Sequence, residues 1–416
     1  MVTIIPFKAL RPETPYAKQV ASKPYDVLSS KEAKIEAQGN PNTFLHVTKS
    51  EIDLPANIDP YSQKVYDKAK ENLDAFLSRN ILFKENKACY YIYKLVMPAM
   101  TRGGKSHSQT GLVCCSSIDD YENDLIKKHE YTRPEKEDDR IRHIKATAAQ
   151  TGNVFLAYKN EKKIDDLVEE WKNERSPVYD FITDDKVQHT IWIINDQESM
   201  NKITKLFKTK VDCTYIADGH HRAASAAKSR MYFGGNSENA NYFLTTLFPS
   251  NQVNILEYNR VVRDLNGKGE EEFLLGVSEK FSVEKSDEAV IPSEPKTFGM
   301  YLNHHWYRLR PYQLTGGEDV VASLDINILH DQLLLPILGI QDQRTDKRID
   351  FIGGIRGASE LEKKVDSKEM AVAFSLHPVS IDELFTVADQ GHVMPPKSTW
   401  FEPKLRDGLL THLLDG

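Results

Sequence analysis

The chain has 416 residues, 40% hydrophobic and 28% charged, with a net charge of −7 and a pI near 6.0. Such a composition supports a large core and two or three domains. The acidic balance, with no basic patch, argues against a protein that grips nucleic acid by its phosphates. No run reaches the roughly 18 apolar residues of a membrane helix. Residues 1–10 contain Lys8 and no long apolar core, so no signal peptide is expected and the location is read as cytoplasmic. Cys89, Cys114, Cys115 and Cys213 form no Cys-x-x-Cys and read as reduced core thiols.

Residues 1–60 are rich in proline and turn signals, with short apolar pieces at Ile4-Ile5 and 44–47. They should lie over a domain rather than form a layer. Val65, Ala69, Leu73, Phe76 and Leu77 repeat at helical spacing over 61–79. Strands are expected at 89–97 and 111–118, joined by a polar link at 101–110. A helix is expected at 119–128, and Thr132 with Glu135 reads as a capping box opening a helix that runs to Thr151, with Gly152 closing it. Strand and helix signals then alternate: strands at 154–158, 187–194 and 211–216, helices at 162–173 and 196–207. An alanine-rich helix from His220 to Met231, closed by Gly234-Gly235, is followed by strands at 242–247 and 255–262. The second half mixes helices at 270–280 and 325–338 with strands at 297–310 and 371–376, and a capping box at Ser380 with Glu383. The turn-rich segment 263–269 suggests a division into 1–265 and 266–416, the second part α+β and packing back on the site. The class is α/β, a mixed α+β arrangement.

The sharpest chemical signal is Asp218-Gly219-His220-His221-Arg222. A β-type run stops there and a helix starts. Unpaired amides and the positive dipole end make such a start poor for cations, by roughly 0.3–1 kcal/mol each. A bound anion offsets that, and phosphate suits both the amides and a bidentate Arg222. The plain alternative has Asp218 as an N-cap and the histidines as structural groups. These amides are expected to face an open pocket.

Gly219-His220-His221-Arg222-Ala223-Ala224 resembles the Gly-x-x-Arg-x-x-Ala box of the ParB/sulfiredoxin-like superfamily, which includes free-serine kinases. The whole chain is similar to a bacterial and archaeal family of unknown function with the Asp-Gly-His-His-Arg motif. Further segments carry that resemblance: 5–12 with 24–27, 128–134 with 136–140, and 377–380 with 394–401. The resemblance implies a ParB/sulfiredoxin-like core with a mixed sheet and a nucleotide, ATP or ADP with or without Mg2+. It also implies phosphoryl transfer to a small hydroxylated metabolite such as serine. Asp218, His220, His221 and Glu130 would be catalytic, with Asp218 orienting a histidine or holding Mg2+. Gly219 and Arg222 would bind the nucleotide. An N-terminal carboxylate, with Glu13 and Asp26 as candidates, would supply the base. The other class is a nucleotide-binding regulator without turnover.

Two more segments offer positive charge. His129, Arg133, Lys136 and Arg140 surround the start of a helix, the last three on one face. Lys397, Ser398 and Thr399 follow two prolines and offer an ammonium and two hydroxyls to an anion. A solvated face and a core-facing loop are the alternatives. An acidic chain must gather its cations locally, so both segments are expected on the rim of the pocket holding His220 and Arg222. No metal site is expected: Arg133 stands where a His-Glu-x-x-His motif needs its second histidine, and His304 and His305 face opposite ways on a strand. Oligomeric state is not legible.

Overall fold

The computed structural model describes residues 1–99, 106–233, 237–314, 317 and 319–415. Of the link expected at 101–110, residues 101–105 lie outside them, as does the Gly234-Gly235 turn, while His107 to Thr110 belong to a strand instead. The chain folds into two compact units. The first is Met1–Ala99, Lys105–Val253 and Pro403–Gly416; the second contains Asn254–Glu402. The division expected at 265/266 therefore falls inside the second unit, and residues 403–416 belong to the first.

The first unit is built on a mixed sheet of nine strands among the described residues. In chain order these are β1 (Ile4–Ile5), β2 (Tyr90–Met97), β3 (His107–Ser117), β4 (Ile126–Lys127), β5 (Val154–Tyr158), β6 (Tyr179–Ile182), β7 (Gln188–Ile194), β8 (Thr214–Asp218) and β9 (Tyr242–Pro249). Their spatial order is β4-β8-β5-β9-β3-β2-β7-β6, with β1 beside β3. β8 runs parallel to β4 and antiparallel to β5, and β5 runs parallel to β9. Tyr215, Ile216 and Ala217 are all buried, as in a strand covered on both faces. Leu112, Cys114, Leu156 and Ile216 share a core with Phe207, Ala223 and Ala226 from helices. The four cysteines are free thiols, three of them buried. A four-stranded sheet joins Leu82–Lys84, Ala9–Pro12, Thr411–Leu413 and Ala149–Gln150 in that spatial order.

The second unit carries an antiparallel six-stranded sheet in the order Phe281–Ser286, His305–Pro311, Phe298–Leu302, Val372–Ser375, Tyr258–Val262, Ile349–Gly353. The Ser380 capping box forms as read, with both reciprocal bonds to Glu383. No described helix is long and apolar enough to cross a membrane.

Three local expectations fail for identifiable reasons. The helix expected at 119–128 stops at Glu122, because Asp124 turns left-handed at φ 58° and the chain enters β4. The Thr132 box does not form. Pro134 sits at the first helical position with Arg133 as cap, and the Thr132 hydroxyl donates to Glu137 instead. That helix, α1 (Pro134–Thr147), ends where Ala148 takes φ 49°, before Gly152 is reached.

Candidate functional site

The site is built where β8 gives way to α2 (His220–Phe233). The β8–β5 register shifts between Ile216 and Asp218, which turns the strand end outward. Gly219 then adopts φ +104°, and a Cβ there would lie 3.1 Å from Arg222 Nε and 3.5 Å from Val154 Cα. The positive φ favours glycine, and a Cβ would also push the Arg222 guanidinium by a few tenths of an ångström. The Ala223 amide donates to the Gly219 carbonyl at 2.9 Å and starts the helix.

Arg222, one turn on, points back under that turn. It donates to the Asn153 carbonyl, and its Nη2 lies 3.3 Å from both Asp26 Oδ2 and Asp218 Oδ1. Lys404 reaches the other Asp218 oxygen at 2.8 Å. Two cations thus meet two carboxylates. Burial alone would raise the Asp218 carboxyl, but Lys404 and Arg222 outweigh it and hold it well below the usual range. Burial works against the Arg222 charge, yet Asp26 and Asp218 raise its pKa. Its Nε is buried without a hydrogen-bond partner.

The histidines are neutral. His220 Nε2 accepts from the His129 amide at 3.3 Å, so its proton sits on Nδ1, which faces Glu130 Oε2 at 3.6 Å. The His129 and His220 rings meet edge to face, 4.5 Å apart. Burial pushes His129 down to about 4, and burial together with His129 pushes His220 well below its ordinary value. His221 Nε2 accepts from the Arg133 amide at 3.0 Å, and burial lowers it too. The first turn of α2 therefore carries one permanent cation, Arg222, and it is already neutralised.

Arg140 and Arg222 line one cavity of about 30 Å³, with Tyr25, Thr151 and Gly152. Gly219, His220 and His221 are not among its lining residues. Arg140 is paired with Asp139 at 2.8 Å and stacks on the Tyr25 ring at 4.0 Å. Lys136 is drawn away to the Tyr61 hydroxyl at 2.8 Å, and Arg133 is exposed at its cap position. In the second unit, Lys397 lies over the Tyr258 ring at 5.4 Å, and the Ser398 hydroxyl donates to the Pro395 carbonyl at 2.6 Å. Thr399 follows them in that unit.

Sequence reading missed Lys404, Asp407 and Asn153. The one available signal was the charged run Lys404-Leu405-Arg406-Asp407 inside an otherwise apolar tail. Asp407 is 2% exposed, and burial raises it to about 8 against the pull of Arg222. Its unfolded value is about 3.9. The folded state therefore holds the proton more tightly, and the stability this contributes is lost as pH rises from about 4 towards about 8. Asp407→Asn should remove that slope. Urea unfolding at pH 5 and pH 8 should show the variant gaining on the wild type at the higher pH; a constant difference would mean Asp407 is ionised throughout.

Among the described residues no group of three or more His, Cys, Asp or Glu could hold a metal. A search of curated proteins finds no match. Solved structures similar to this chain include a free serine kinase in complex with AMP, at 14% identity and a TM-score of 0.33, covering 71% of this chain and 91% of that one. A conserved hypothetical protein from Pyrococcus furiosus matches at 13% identity and a TM-score of 0.33, covering 71% and 93%. SbnI from Staphylococcus aureus, truncated at its C-terminus, matches at 11% identity and a TM-score of 0.35, covering 72% and 86%. At such scores the chemistry must be read from this chain's own residues. The family model described as protein of unknown function (DUF1015) matches residues 4–327, and the chain belongs to that family.

Proposed function

We propose that this chain is a nucleotide-dependent phosphotransferase acting on a small hydroxyl compound. One observation carries it: a glycine-enforced strand-to-helix turn gathers Asp218, neutral His220, Arg222 and Lys404 at a helix N-terminus. Phosphoryl transfer asks for little beyond such positioning and charge. In this scheme the acceptor oxygen attacks the terminal phosphorus of ATP or ADP. The bond to the nucleotide oxygen breaks, and the acceptor proton passes to Glu130, whose side chain is 44% exposed beside His220. His220 donates its Nδ1 proton in a hydrogen bond, and Lys404 balances the developing charge. Mg2+ carried on the phosphates needs only one or two protein carboxylates. Asp26, 37% exposed, fits that need better than Asp218, which Lys404 and Arg222 enclose.

A second reading, a nucleotide-binding regulator without turnover, is favoured by the engagement of Arg222 with Asn153, Asp26 and Asp218. Only interactions that strengthen in the transition state speed a reaction. Melting with ATP, ADP and small hydroxyl compounds such as serine, followed by product analysis, separates the two. A nucleotide at a hundred times its dissociation constant should stabilise by about 2.7 kcal/mol. Stabilisation with acceptor-dependent turnover supports the transferase, and stabilisation alone the regulator. No stabilisation by millimolar nucleotide sinks both.

A further inference from the structure

Arg260 stands on the strand Tyr258–Val262, between Val372–Ser375 and Ile349–Gly353 in the sheet of the second unit. Its neighbours across the two ladders are Phe374 and Phe351, and the Phe351 ring centre lies 5.3 Å from the guanidinium carbon. The side chain is 0% exposed. Nη1 donates to the Tyr258 carbonyl and Nε to Gln343 Oε1 at 3.4 Å, while Nη2 is buried with no hydrogen-bond partner. Asp350 is no counter-ion. It pairs with Val261, so the alternation of the strand sends it to the opposite face. At neutral pH the guanidinium stays charged. A cation in such surroundings is costly unless an anion meets it. The Phe351 face answers only part of that need. Water can accept the Nη2 proton but cannot balance the charge.

We propose that the second unit binds a small oxyanion, of carboxylate or phosphate size, on Nη2 of Arg260. Nη1 and Nη2 form one edge of a planar fork, whose spacing matches two oxygens of such a group. No atom of Arg260 meets solvent, so a side chain of another macromolecule cannot reach it. The ion enters by local opening or as the unit folds, and it exchanges slowly. Its role is to complete the core of the second unit, and it does not rest on the phosphotransferase reading. An ion held by the folded state alone also stabilises that state by mass action.

Full-length protein and Arg260→Met are melted in sodium phosphate or sodium acetate, with sodium chloride at equal ionic strength as the control. One or both oxyanions should raise the wild-type melting temperature by at least about 2 °C over chloride and leave Arg260→Met unmoved. In chloride the variant should melt higher than wild type, and the oxyanion should narrow that gap. Arg260→Lys keeps a charge but not the fork, and should need roughly tenfold more of the anion for the same shift. Wild type desalted from the effective anion should release a stoichiometric amount when unfolded in acid, and Arg260→Met none. Equal shifts, or equal release, from wild type and Arg260→Met overturn the proposal, because the anion then sits elsewhere, as at the Asp-Gly-His-His-Arg turn. A wild type that melts alike in all three salts overturns it as well.

Discussion

Replacing Arg222 with alanine is expected to cost about 3–5 kcal/mol of unfolding free energy, the range for removing one partner of a buried ion pair. Arg222 is 8% exposed and is the group that Asp218, Asp407 and the Asn153 carbonyl all face. Truncation leaves Asp218 with Lys404 as its remaining ion-pair partner and removes the larger of the two arginine influences, Arg222 and Arg140, on Asp407. The exposed partner Asp26 contributes little, since solvent screens it. The sequence suggests a phosphate-gripping arginine whose loss leaves the fold intact; in the structure Arg222 is buried and bonded to Asn153, Asp26 and Asp218. Lysine should not rescue it, because one ammonium cannot reach three acceptors in a fixed fork. Denaturant unfolding measures the effect, and a loss under about 1 kcal/mol would show that the carboxylates find other partners.

Arg260→Met should go the other way. Arg260, on the strand Tyr258–Val262, is 0% exposed. Its guanidinium donates to the Tyr258 carbonyl and to Gln343 Oε1 at 3.4 Å, Nη2 has no partner, and no described carboxylate pairs with it. Burial pulls its pKa down to about 9. A methionine keeps most of the volume and the packing near the Phe351 ring, 5.3 Å away, and removes a desolvated charge. The gain expected is about 1–4 kcal/mol, as seen when buried charges yield to apolar side chains. Because the folded base has a lowered pKa, the wild type should recover part of that deficit as pH rises past about 9. A variant less stable than wild type would mean that the bonds to Tyr258 and Gln343 outweigh the buried charge.

Elements with strong periodicity or explicit caps were legible. The strand at Val154–Tyr158 and the Ser380 box appear where their residues put them. Elements governed by one backbone conformation were not, as the left-handed Asp124 and Ala148 show. Short strands such as Tyr179–Ile182 and Ile349–Gly353 carry no alternation to read and depend on their neighbours. The candidate site splits the same way. Asp218 to Arg222 is contiguous and visible. Asp26 joins Arg222 from 196 residues away, Lys404 joins Asp218 from 186, and Asn153 joins Arg222 from 69. Spacing rules reach one helical turn or one strand pair, and these contacts are set by topology alone.

The return of residues 403–416 to the first unit has a consequence for synthesis. A ribosome makes Met1 to Val253, then the whole of 254–402, before the residues that finish the first unit emerge. Until then Ala9–Pro12 and Ala149–Gln150 lack the strand Thr411–Leu413 between them, and Asp218 lacks Lys404. Domains tend to fold as units while the chain grows, but here the first one must wait with an open sheet edge while the second is made. A nascent chain stalled anywhere in 254–402 would carry the Asp-Gly-His-His-Arg turn and still lack the lysine beside it. Both the strand that joins Ala9–Pro12 to Ala149–Gln150 and the cation beside Asp218 thus come from the segment made after the second unit.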